Sequence, residues 1–583
     1  MTLDFSSSLF WSTLLERWWM NQTERNSFKS YWPWFLIVVA SAAAHLWCVK
    51  SQFYLDDLWQ IRDNGTFHGD GYTEDIKLRW FYMMLKIQVA LFGMSSPAIH
   101  ACNWLLHTGV ALVLWRLALL LLPQRPGVAL FSALLFAVHP LGSEIPNYAR
   151  CQDIAWVTLF SLAACHQVVA FLLRKHWWHL CLALVMMAGA AFSKGPGVFH
   201  AIMMVGAVAA CVGLPIVLQK GKRVGLYLVS GAALVLVCGF FVRHHFGWDT
   251  AVSRWQDPRI MGHAFTLSRV FWEFCRLGFW PNGLCADHHI QETLAEKGFW
   301  QVKDAVAWWA MAGMLVLALL ALVMMFFQKS RLVGLCLGLF VGAILMRFAF
   351  FVPEFMPEYR IYPGMPWFCL GVGIVLAAAW RWMTELNGAY PASVILLVLV
   401  VISAKRSHQW HSLDTLMADV LKKYPANARA IWVLQRNDIE RGNWQAVINR
   451  HKTLPEMTQK LIRQNQKLAP IRTLPTGHHA LAEVGCTGLF ARAVAEVHGA
   501  DKGMMVIDAL EIYMKQLGIT EQNNLEHWLH FKRAKAWMFY KQGRYQEAYE
   551  LLRDFAIADS RLLLKEIESK LARSSPTSES LKK

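Results

Sequence analysis

The sequence predicts an all-α fold: a polytopic membrane bundle of about eleven spans, followed by a soluble C-terminal domain of helical repeats. Three observations carry that prediction. Hydrophobic residues make up 56% of the 583 positions and mean hydropathy is +0.31, too apolar for an ordinary soluble chain. Long apolar runs recur from residue 33 to residue 404, separated by short basic loops. Beyond Lys405 the composition turns polar while keeping a helical period.

The first run, 33–49, follows a Trp-rich amphipathic stretch carrying Arg17, Arg25 and Lys29. No small-residue cleavage site follows it, so it reads as an uncleaved first span. Further runs lie near 97–122, 127–140, 154–173, 177–192, 197–218, 224–242, 304–327, 332–351, 363–381 and 391–404. With the N-terminus inside, the loops carrying Arg125, Arg174 and Lys175, Lys220 to Arg223, Lys329 and Arg331, and Arg381 all fall on the cytoplasmic side. The opposite face then receives an acidic loop at 51–80, a long loop at 243–303 and everything after Lys405. Residues 1–404 therefore form a membrane domain, 405–573 a helical domain on the non-cytoplasmic face and 574–583 a disordered tail.

Net charge is +17, but much of it sits in those short loops, where it sets topology and attracts anionic lipid. Nucleic acid is not an expected partner. Twelve dispersed cysteines without a CxxC pattern indicate neither a metal cluster nor a disulfide framework, although a Cys275–Cys285 bridge is conceivable.

In the C-terminal part, a Pro-Ala-Asn turn separates two helices, and Gly442, Asn443 and Trp444 mark the next turn. Ala534, Gly543, Tyr545 and Ala548 stand where small and aromatic residues stand in tetratricopeptide repeats. This region holds 28 Lys plus Arg against 19 Asp plus Glu, a basic surface suited to an acidic partner or to lipid headgroups.

Candidate chemistry lies at span ends on the outer face, where ionisable groups are costly and tend to be functional. The adjacent Asp56 and Asp57 sit among Tyr54, Leu55, Leu58 and Trp59. Carboxylates in an aromatic setting cost free energy unless something pairs with them. His139, Glu144, Arg150 and Asp153 share one short turn; Lys194 closes another span. Asp287, His288 and His289 end a long amphipathic stretch, and Glu358, Arg360 and Tyr362 precede a span. Each has a plainer alternative: His139 before Pro140 as a helix end, Lys194 as an interfacial anchor, Arg360 with Glu358 as an ordinary ion pair.

YLDDLWQI, LLFAVHPLGSE, FSKGPG, FCRLGFWPNGLCADHHI, PEYRIYPG and SHQWHSLDTLMADVLKKYPANARA occur in this order between about residues 50 and 445. Together they resemble the transmembrane and tetratricopeptide-repeat glycosyltransferases, the eukaryotic O-mannosyltransferases of that architecture and their bacterial relatives, within the GT-C superfamily. The resemblance implies transfer of a sugar from a polyprenyl-phosphate donor to a hydroxyl of an exported protein on the periplasmic or lumenal face. Phosphate leaves without a proton, so such a site needs a base for the hydroxyl and cations for the phosphate. Asp57 or Asp56 is the expected base. Arg360, Lys194 and Arg150 are the expected cations, with Glu144, His139, His288, His289, Glu358 and Tyr362 in support. Some superfamily members use a metal and others do not, so a divalent cation, Mg or Mn, held by Asp57, Glu144 and His289 is a further expectation.

The sequence departs from the family pattern where Lys194 precedes Gly195 rather than Glu and where Tyr359 separates Glu358 from Arg360. Sugar and acceptor therefore stay open. The compact repeat domain favours a bacterial inner membrane, with the endoplasmic reticulum as the alternative. Competing functions are transfer to a lipid or envelope polysaccharide and a non-catalytic scaffold.

Overall fold

The structure, a computed structural model, describes residues 31–64, 79–218, 258–288, 304–348, 355–383, 389–425, 427–451, 478–516, 525–553 and 558–574, with single positions between them. Every extended element among the described residues is helical. Among the described residues seven helices are long and apolar enough to cross a membrane: Trp32–Lys50, Ser96–Leu121, Ala149–Arg174, Ala305–Phe326, Arg331–Phe348, Glu358–Ala379 and Pro391–Gln409. An eighth is the pair Pro126–Val138 and Pro140–Asn147, bent by 54°. The expected runs at 177–192 and 197–218 appear as shorter apolar helices, Trp178–Ser193 and Gly197–Gly213, joined by Trp80–Phe92, which the hydropathy pattern does not single out. The expected run at 224–242 lies outside the described residues. The chain is a multi-pass membrane protein, and its outward residues agree. On Ala305–Phe326, Val306, Trp309, Val316, Leu319 and Phe326 are all more than half exposed, a face that is stable only against lipid.

The chain divides into two compact units. The first comprises Met1–Val49, Asn64–Leu214 and Met365–Ser407. Its helices begin where proline fits the first turn: Pro33 in Trp32–His45, Pro97 in Ser96–Leu121 and Pro126 in Pro126–Val138. Between Val138 and Gln152 the backbone is irregular yet buried, so its carbonyls need partners from the protein. Asn103 supplies them, donating from Nδ2 to the carbonyls of Ile145, Tyr148 and Ala149 at 2.9, 3.1 and 3.3 Å. Gln152 Nε2 donates in turn to Asn103 Oδ1 at 2.7 Å, and His100 Nδ1 lies 3.0 Å from the Pro146 carbonyl.

The second unit comprises Lys50–Asp63, Pro215–Gly364 and His408–Lys583. Ala305–Phe326 and Arg331–Phe348 pack closely because Gly334 has no side chain: a Cβ there would stand 2.7 Å from the Ala321 carbonyl oxygen. The C-terminal helices Leu413–Lys423, Ala428–Glu440 and Trp444–His451 are followed by His478–His498, Ala500–Gln516, Leu525–Lys541, Tyr545–Leu552 and Ala558–Ser574. Gly442 and Gly543 make two of the turns with φ of 73° and 75°, a region open to glycine. Ile507, Leu510, Met514, Phe531 and Met538 form one core and Ala536, Phe539, Ala548, Leu552 and Ile567 another. Ala548 is thus a core residue. Cys275 and Cys285 are both free thiols, so the conceivable bridge is absent.

Candidate active site

In the second unit the acidic loop is built around a tight turn. Asp57 N–H donates to the Tyr54 carbonyl at 2.9 Å, and Tyr54 N–H donates back to Asp57 Oδ2 at 3.3 Å. Leu55 between them has φ of 51°, a left-handed conformation that costs a non-glycine residue about 1–2 kcal/mol. Strain of this kind persists only where the surroundings over-determine it, often at functional positions. Asp57 is fully buried whereas Asp56 is partly exposed, so the two carboxylates that the sequence leaves equivalent differ in setting. Tyr54, itself buried, donates its hydroxyl to the His411 carbonyl at 2.7 Å. Burial, with the neighbouring Asp57 and Asp414 carboxylates, pushes that hydroxyl up to about 12, so it remains a donor at any working pH.

The same unit gathers a second group. Glu358, fully buried, accepts through Oε1 from Cys285 N–H at 2.6 Å and from His288 Nε2–H at 2.9 Å. That bond orients the imidazole and turns Nδ1 toward the Tyr424 hydroxyl, 3.4 Å away. Burial raises the Tyr424 hydroxyl, with Cys285 and Glu273 adding to the effect, so it too stays protonated. Arg360 follows in the turn Glu358–Gly364, its guanidinium 5.8 Å from the Tyr359 ring centre. Tyr362 is fully buried. Glu358 therefore serves His288, a partnership that the Glu358–Arg360 spacing hides.

In the first unit two cations converge on one carboxylate. Arg150 Nη1 lies 2.5 Å and Lys194 Nζ 2.8 Å from Asp153 Oδ2. Asp153 is 1% exposed, while Arg150 and Lys194 are 16% and 25% exposed, so the carboxylate is the inner partner and the cations the outer ones. The Arg150 guanidinium also lies over the Phe81 ring, 4.9 Å from its centre. Such an arrangement presents guanidinium and ammonium donors together, the equipment for gripping a phosphate. Glu144 is buried at the start of Glu144–Asn147. His139 accepts from Leu141 N–H at 3.2 Å and caps the following turn, the structural role that Pro140 suggests.

Of the expected site residues, the structure groups Arg150 with Lys194 and His288 with Glu358; Asp56 and Asp57 form their own loop. His289 lies outside the described residues. Of the trio expected to hold a cation, Asp57 belongs to the second unit and Glu144 to the first. Among the described residues no group of three or more His, Cys, Asp and Glu side chains is arranged to hold a metal ion. The sequence places Asp153 in the turn of Arg150 without a role and gives none to Tyr54, Tyr424 or Asn103. The spacing Arg150 to Asp153, one helical turn, is the one signal that could have paired Asp153 with its cation.

Part of the chain is similar to curated proteins. It is 28% identical over 148 residues to the human protein O-mannosyl-transferase TMTC1, covering 22% of this chain and 17% of that protein. The mouse protein of the same name matches at 28% over 148 residues, covering 22% and 16%. The chain thus matches about a sixth of the length of these relatives. No family profile and no solved structure matches it.

Proposed function

We propose that the chain is an integral membrane glycosyltransferase that moves a sugar from a polyprenyl-phosphate donor to a hydroxyl of an exported protein. The name of its relatives, protein O-mannosyl-transferase, supports a protein acceptor. The observation that carries the reading on this chain is the convergence of Arg150 and Lys194 on Asp153. In the proposed step the acceptor oxygen attacks the anomeric carbon as the bond from that carbon to the phosphate oxygen breaks. Polyprenyl phosphate departs with the bonding electrons, and the configuration inverts. Arg150 and Lys194 stabilise the phosphate charge, and a carboxylate base takes the hydroxyl proton; Asp57 and Arg360, both in the second unit, are the residues that the sequence assigns to the base and to a further cation. The reaction faces the periplasm of a bacterial inner membrane, and the C-terminal helices hold the acceptor polypeptide.

The test is transfer in detergent by the purified full-length protein, given a radiolabelled polyprenyl-phosphate sugar and an extract of exported proteins. Label in protein, with release of one polyprenyl phosphate per sugar, is expected. Label confined to lipid or polysaccharide would replace the acceptor, and no release from any donor would overturn the enzymatic reading.

A further inference from the structure

The helix Leu413–Lys423 opens the C-terminal domain, and both of its ends are tied within the second unit to residues of the candidate site. At its start, a capping box between Ser412 and Thr415 fixes the first turn. His411, one residue earlier, accepts the Tyr54 hydroxyl, and Tyr54 holds Asp57 through its own N–H. At its end, three contacts hold the loop that carries His288. Lys423 Nζ donates to the Leu284 carbonyl, Asn427 Nδ2 donates to the Asp287 carbonyl at 3.3 Å, and the Tyr424 hydroxyl meets His288 Nδ1. A rigid helix of eleven residues, about 16 Å long, therefore connects the Asp57 turn to the His288–Glu358 pair.

We propose that this helix is a brace belonging to the transfer site, with Tyr54 and Tyr424 as its positioning residues. It fixes the Asp57 turn and the His288–Glu358 pair relative to one another. This rests on the glycosyltransferase reading for its consequence, but the coupling itself does not. Three features distinguish a brace from incidental packing. The Tyr54 hydroxyl bonds to backbone at a helix start, so it registers the whole helix rather than one side chain. The strained Leu55 backbone is held by that anchorage, since a left-handed leucine in an untethered loop would relax. The far end engages two backbone carbonyls besides the imidazole, so it fixes the course of the 284–288 loop as well as the ring of His288. The C-terminal domain thus begins inside the chemistry, and a polypeptide gripped by its later helices would have a rigid path to the site.

The experiment uses full-length wild type, Tyr54→Phe and Tyr424→Phe in detergent. Both phenylalanines keep the ring and remove one hydroxyl, and equal membrane abundance checks folding. Hydrogen exchange is read at 54–63, 413–423 and 284–288. Each substitution should raise exchange about tenfold in its own loop and measurably in the loop at the other end, because the helix transmits the loosening. Exchange confined to the mutated end, or unchanged everywhere, overturns the brace whether or not sugar transfer is found. In the transfer assay each variant should lose about tenfold in kcat with KM for the donor unchanged. Rescue separates positioning from packing: Tyr424→His, which can keep a polar contact to His288, should recover part of the kcat that Tyr424→Phe loses, which a purely structural role would not give. If wild type transfers sugar and both variants match it in kcat, the positioning role falls while the glycosyltransferase reading stands.

Discussion

Tyr54 and Asp57 exchange backbone and side-chain hydrogen bonds around a left-handed Leu55, with Asp57 Oδ2 3.3 Å from Tyr54 N. A carboxylate so held has one orientation, which is what a base needs and what a solvated loop would not provide. Leu55→Gly removes the φ penalty but opens further backbone conformations to the turn, which loosens the Asp57 carboxylate. Expected is unchanged or slightly raised thermal stability, by up to about 1 kcal/mol, with kcat lowered several-fold. Differential scanning fluorimetry beside the transfer assay reads both, and a marked loss of stability would show that the leucine side chain, not the turn, is what matters.

Arg150 and Lys194 are assigned to the phosphate. Removing either charge, as Arg150→Met or Lys194→Met, should lower kcat/KM by about 10²-fold or more, since each donor acts on charge that develops in the transition state. Lys194→Arg should retain a substantial fraction. Steady-state kinetics with a soluble short-chain donor provides the check, and equal activity of Lys194→Met and wild type would remove lysine from the site.

Asn103 satisfies three carbonyls of the buried turn that carries Arg150. Asn103→Ala removes that donor; the Tyr148 and Ala149 carbonyls keep the Cys151 and Gln152 N–H groups, so the cost, about 1–3 kcal/mol, falls mainly on the Ile145 carbonyl. Thermal unfolding in detergent should show a large destabilisation, and Asn103→Leu should be no better because shape alone does not restore donors.

His451 gives a pH dependence. It stacks on Phe490 at 4.2 Å, and burial holds its imidazole down from 6.5 to about 4. Because the folded value is depressed, the unfolded chain binds the proton first as pH falls. Local stability is therefore complete above 6.5 and is lost progressively between 6.5 and about 4. Protection at 444–451 and 484–498, measured as hydrogen exchange corrected for its intrinsic pH dependence, should fall from pH 7 to pH 5 in wild type and change less in His451→Phe.

Much of the fold was legible because membrane helices announce themselves by length and hydropathy, and because Gly442 and Gly543 mark turns by a backbone requirement. Trp80–Phe92 escaped since thirteen residues are too few for a hydropathy window. The site was legible as residue types but not as partnerships. Glu358 looks paired with Arg360 by spacing, yet its carboxylate receives His288, seventy positions away. Tyr54 and His411 are 357 positions apart, and no periodicity reports a contact of that kind. Asn103 reads as one polar residue in an apolar helix; its value appears only once the irregular turn beside it is seen.

The most direct measurement is the intact mass of exported proteins from a host lacking this protein and complemented with wild type, Asp56→Asn or Asp57→Asn at equal membrane abundance. Asp57-dependent sugar transfer predicts a hexose- or pentose-sized addition with wild type, retained with Asp56→Asn and absent with Asp57→Asn. The same masses in all three strains would contradict it.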